Sequence, residues 1–202
     1  NVMPYELVSF VEARSRMQVL YRMGGTVELL RQLTREGFPV IVQRGSFLPG
    51  NNGWIGRYQV VLGYENGKGT IAVQVNYPEE GEELVSEQVL EREWRAFNYA
   101  FLVVYPPEKE EFLKSLLDKF WDESESARRA AQKASEDIFA TEGVDRFFAW
   151  FNRGTSLAEL DDYAGAAKAY DEAFALYNAL PENQRPERIL WYQTRPYWAY
   201  YY

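Results

Sequence analysis

The chain has 202 residues, 47% of them hydrophobic and 16% aromatic, with a net charge of −8 and neither cysteine nor histidine. Such a composition supports a packed core, but it excludes disulfides, thiolate nucleophiles, cysteine zinc sites and imidazole proton shuttles. The acidic surplus argues against nucleic acid or an anionic membrane as partner, since both are approached through Lys and Arg clusters. No apolar run reaches the roughly 18 residues of a bilayer span.

Met3 to Glu12 is expected as a short helix after Pro4, and Met17 to Tyr21 as an extended stretch before the Gly24-Gly25 break. Thr26 is placed to cap a helix carrying Val27, Leu29, Leu30 and Leu33, which stops at a left-handed Gly37 before Pro39. Val40, Ile41 and Val42 read as a strand suited to burial on both faces, and Ser46 to Trp54 as a loop. Alternation over Tyr58 to Gly63 predicts a strand, Asn66-Gly67 a hairpin turn and Thr70 to Val75 its partner. Pro78 to Glu83 reads as an acidic, solvated turn. Ser86 is a cap for a helix bearing Val89, Leu90 and Trp94, and Ala100 to Tyr105 is a last apolar strand. Residues 1–106 therefore read as an α+β lobe.

Pro106-Pro107 marks a boundary, and residues 107–202 turn all-helical. Phe112, Leu113, Leu116, Leu117 and Phe120 make one amphipathic stripe, and Ala127, Ala130, Ala131, Ala134 and Ile138 make another. Trp150 to Leu176 reads as two helices with a turn at Asp161 and Asp162. Within it, Trp150, Gly154, Leu157, Tyr163, Ala166, Tyr170 and Ala173 fall at the spacings of a tetratricopeptide repeat, over about residues 147–180. Arg153 departs from the pattern, standing where an apolar residue is usual. One repeat cannot bury its own faces, so the preceding helices and an aromatic segment from Pro186 to Tyr202, the start of another repeat, are expected to cover it. The aromatic end at Tyr200 to Tyr202 reads as a chain cut from a longer polypeptide.

Gly53-Trp54-Ile55-Gly56-Arg57-Tyr58-Gln59-Val60-Val61-Leu62-Gly63-Tyr64 resembles the strand that bears the catalytic histidine in papain-like cysteine peptidases of the bacteriocin-processing type. Gly37 to Val42 also resembles a strand of that family. Gln74-Val75-Asn76-Tyr77-Pro78 resembles the place of its third catalytic residue, and Trp94 to Asn98 with Phe101 to Pro107 extends the similarity to large bacterial proteins that fuse this lobe to tetratricopeptide repeats. The resemblance implies a papain-like sheet-and-helix lobe followed by a tetratricopeptide-type helical region. It places Arg57 where the histidine stands, Val75 or Asn76 where an aspartate is usual, and the cysteine on a helix upstream of Asn1. It also implies an extracytoplasmic or cell-surface setting.

An arginine holds its protons to a pKa above about 12 and cannot serve as the base for a thiol. Arg57 is thus either a substituted catalytic position that holds an anion or a strand-edge arginine paired with a nearby glutamate. No spacing among the acids points to a glycosidase carboxylate pair, and Gly63 to Gly69 lacks the context of a phosphate loop.

The resulting expectation is a non-catalytic interaction or scaffolding module, with degenerate positions Arg57 and Asn76 and no metal or cofactor. Its partner would be a protein or peptide, or other chains of the same parent or a larger assembly. Asn152, Arg153 and Lys168 are the candidate contacts in the repeat groove, and Trp191, Tyr192 and Trp198 those in the aromatic segment. The alternatives are a processed segment of an active papain-like peptidase and a structural subunit.

Overall fold

The computed structural model describes residues 2–47, 53–65, 69–74 and 81–202. Pro4 opens α1 (Pro4–Arg14), its fixed φ suited to the first turn, and the Glu6 carboxylate accepts from the Met3 amide at 2.6 Å. β1 (Gln18–Arg22) follows. Thr26 then caps α2 (Val27–Arg35) by accepting from the Leu29 amide, and all four apolar residues predicted for its inner stripe are buried. Gly37 takes φ +77°, the left-handed conformation expected at that helix end.

β2 (Val40–Phe47) and β3 (Trp54–Glu65) pair antiparallel from Val40↔Val61 to Phe47↔Trp54. Ser46, Phe47 and Trp54, read from sequence as loop, are therefore strand residues, because the ladder continues to the last described pair. β3 also pairs with β4 (Thr70–Gln74), with a register shift between Val61 and Gly63. The Asn66-Gly67 turn lies outside the described residues. β5 (Glu82–Ser86) corrects the expected acidic turn at its described end: Gln74↔Glu82 and Val73↔Glu83 are ladder pairs, and the strand buries Val85.

Ser86 caps α3 (Glu87–Arg95) by accepting from the Val89 amide, and β6 (Phe101–Tyr105) returns between β1 and β2. The six strands lie in the order β1-β6-β2-β3-β4-β5, every described pairing antiparallel. An α+β fold with an antiparallel sheet followed by a helical region is thus established.

The helical region runs through α4 (Glu110–Leu117), α5 (Glu123–Ala140), α6 (Gly143–Glu159), α7 (Tyr163–Ala179), α8 (Ile189–Tyr192) and α9 (Arg195–Tyr201). The predicted turn at Asp161 and Asp162 separates α6 from α7. Asp161 takes φ +61°, and the Asp162 carboxylate accepts from the Gly165 amide. Gly154 lies under Tyr170, where an added Cβ would stand 2.8 Å from the ring. The Phe151 and Tyr170 ring centroids are 5.0 Å apart. Among the described residues, no helix is long and apolar enough to cross a membrane.

The buried cores cross the boundary expected after residue 106. Leu113 and Leu117 of α4 join the core beneath the sheet, while Trp54, Ala96 and Phe97 join the helical core around Phe147, Phe151 and Tyr170. Trp54 is the junction: its ring lies 5.6 Å from Phe97, 5.8 Å from Phe148 and 5.6 Å edge-on from Tyr192. Gly45 makes the space for it, since a Cβ there would stand 2.1 Å from the indole.

Candidate functional site

Arg57 sits directly across the ladder from Arg44, so period-two alternation puts both side chains on the face covered by α3. Arg44 is 1% exposed. Its Nη2 lies 2.7 Å from the Glu93 carboxylate of α3, its Nη1 donates to Gln59 Oε1, and Glu83 approaches to 4.0 Å. Arg57 reaches the same Glu93 oxygen at 3.4 Å and donates to Ser46 Oγ at 2.8 Å. Burial lowers the Arg44 guanidinium from its usual range; Glu93 opposes that fall and the neighbouring Arg57 charge adds to it.

Arg57 is therefore an arginine paired with a nearby glutamate, one of the two sequence readings, but on an interior strand rather than at an edge. Glu93 carried no sequence signal of its own beyond its place on a helix. Val75 and Asn76 lie outside the described residues.

The structure disperses the residues expected to contact a partner through the repeat. Asn152 is 0% exposed, and its Nδ2 donates to the Arg95 carbonyl at 2.7 Å. This corrects its expected place on a contact surface: the side chain ties α6 to the end of α3. Arg153 Nη1 donates to Ser135 Oγ of α5 at 2.6 Å, which is how a polar residue is accommodated where an apolar one was expected. Lys168 is exposed on α7.

In the aromatic segment, Trp191 is 67% and Trp198 50% exposed, and Trp198 stacks on Tyr202 at 6.0 Å. Tyr192 instead turns inward, edge-on to Trp54 and Phe97. The segment does cover the helix pair as expected: Tyr200 donates to Asp171 Oδ1 at 2.8 Å, and Ala199 is buried.

A cleft of about 510 Å³ opens between α1, β1 and the α6, α8 and α9 side of the fold, lined among others by Tyr21, Asn98, Glu123, Glu159, Tyr192 and Trp198. It is assembled from residues far apart in sequence, which is why no motif pointed to it. Glu159 pairs with Arg195, and Glu123 lines the same cleft. Burial raises the Glu159 carboxyl above the usual carboxylate range; Arg195 opposes the rise and Glu123 reinforces it. Among the described residues, no group of three or more acidic side chains is placed to hold a metal ion.

Comparison with protein-family models, curated proteins and solved structures finds no match to the chain.

Proposed function

We propose that the chain is a non-catalytic interaction or scaffolding module, built on a cysteine-peptidase-like lobe with degenerate catalytic positions and on a tetratricopeptide-type helical region. The observation that carries this reading is the state of Arg57. At the position of the histidine in the resembled family stands a guanidinium held by Glu93 and Ser46. A guanidinium has no free lone pair with which to take a proton from a nucleophile. With no cysteine or histidine anywhere in its 202 residues, the chain also carries neither side chain of the family's nucleophile and base.

On this reading the partner is a protein or peptide, engaged through the exposed aromatic surface of α8 and α9. Trp191 and Trp198 there offer large contact area at little cost in side-chain entropy. The resemblance further favours an extracytoplasmic setting.

The test is selection of a random dodecapeptide display library on the intact chain, with selected peptides incubated with it and examined by mass spectrometry. Peptides are expected to be retained uncut, with affinity falling about tenfold in Trp191→Ala, the scale of a truncated aromatic anchor. Selection of no peptide above background, or hydrolysis that Arg57→Ala abolishes, overturns the reading.

A further inference from the structure

The cleft against α1 plays no part in that reading, and the sheet supplies its floor. The β1–β6–β2 register sets Tyr21, Leu102 and Ile41 abreast. Gln43, two residues on from Ile41, therefore projects from the same face of the sheet as Tyr21. Arg44, the next residue, points to the other face, under α3. Tyr58 stands directly across the ladder from Gln43, and its hydroxyl donates to the Val2 carbonyl at 3.0 Å, which brings the start of α1 over this face.

Gln43 is the observation that points to a ligand. The residue is 5% exposed and lines the cleft. Its amide makes no hydrogen bond among the described residues, yet neither its oxygen nor its nitrogen is sealed off, so both open on the cleft. The Tyr21 hydroxyl on the same cleft is likewise without a hydrogen bond among the described residues. Burying an amide without partners is destabilising, and this floor therefore favours a ligand that supplies them. A carboxamide presents an acceptor and a donor side by side in one plane. Its complement is a flat edge with a donor and an acceptor in turn, the pairing by which glutamine reads adenine. The rings of Phe97, Tyr192 and Trp198 border the cleft and give such a heterocycle apolar surface to pack on. An anion has no comparable provision, because Arg195, the cation among the lining residues, is already paired with Glu159.

We propose that this cleft binds an uncharged planar heterocycle through the Gln43 amide, with Tyr192 and Trp198 as ring walls. The edge it reads carries a donor beside an acceptor, the amidine edge of adenine or the lactam edge of uracil. A cleft of about 510 Å³ accommodates such a ring together with a sugar or short substituent.

Isothermal titration of the full chain tests it, with adenosine, adenosine dimethylated at its exocyclic amine, uridine, and uridine methylated at its ring N–H. The nucleoside that binds is expected to lose about tenfold in affinity when methylated, the scale of a bidentate amide pair. Gln43→Met keeps the shape of the side chain and removes its amide. In that variant the unmethylated nucleoside is expected to fall to the level of its methylated form, with no fall in melting temperature, because no partnered group is lost. Such a loss of discrimination separates a ligand contact from a purely structural role. Tighter binding of adenosine assigns the amidine edge, and tighter binding of uridine the lactam edge. Absence of binding by either nucleoside, equal affinity for methylated and unmethylated forms, or discrimination retained in Gln43→Met overturns the proposal. Tighter binding of adenosine monophosphate than of adenosine overturns the uncharged character of the ligand. The peptide contact is probed separately through Trp191, so either result can fail while the other stands.

Discussion

Among the described residues, Arg44 and Arg57 share the Glu93 carboxylate, with Glu83 more distant from Arg44 at 4.0 Å. Removing one partner of a buried pair leaves the other charge uncompensated, a loss of about 3–5 kcal/mol. Glu93→Gln is therefore expected to lower the urea midpoint strongly, whereas a double change of Arg44 and Glu93 to Met and Gln should recover part of the loss. Equal midpoints for Glu93→Gln and the parent would show that the arginines are otherwise satisfied.

Tyr21 supplies a pH signature. Burial first, and then the charge of Glu159, push its hydroxyl from 10.0 up to about 12. The unfolded chain thus releases this proton earlier than the folded one. The stability linked to Tyr21 is complete below pH 10 and is lost as pH rises toward 12. Urea midpoints measured across that window should fall less steeply in Tyr21→Phe than in the parent.

At the scale of elements, the α6–α7 hairpin was readable because its signals are local. Gly154, Ala166 and Ala173 mark the close approach, and Asp162 both ends the turn and caps the second helix. Replacing Gly154 by alanine sets two effects against each other. Helix propensity favours alanine by about 1 kcal/mol, while overpacking costs about 1–3 kcal/mol. The ring cannot simply yield, since Tyr170 is buried and its hydroxyl is 3.0 Å from Thr155 Oγ1. A net loss of about 1 kcal/mol is expected in Gly154→Ala, read from chemical denaturation; a gain would mean that the ring relocates freely.

Elements whose existence depends on a neighbour were read less well. Glu82 and Glu83 lack strand character by composition, yet they pair with β4 because that ladder supplies the partners. The same applies to Ser46 and Phe47, which extend β2 opposite Ile55 and Trp54.

At the scale of the whole molecule, Trp54 joins the two halves that the proline pair at 106 and 107 separates in sequence. Its indole is 1% exposed among rings from the α3–β6 connection, α6 and α8. Truncation to alanine should cost about 3–5 kcal/mol and should lower the far-ultraviolet and near-ultraviolet melting transitions together. Separate transitions for sheet and helices would indicate that the junction is not a shared core.

The sequence by itself determined what is local: the capped starts at Thr26 and Ser86, the turn at Asp161 and Asp162, the alternating strands, the helical stripes, and the absence of imidazole and thiol chemistry. These follow from propensity, periodicity and residue type, which act within a few positions of the chain. Tertiary structure alone decided that Glu93 meets Arg44 and Arg57, that Asn152 is buried against Arg95, and that Asn98, Glu123 and Glu159 share one cleft. Those pairings join residues tens of positions apart, and their energies depend on burial and distance, quantities that exist only once the chain has folded.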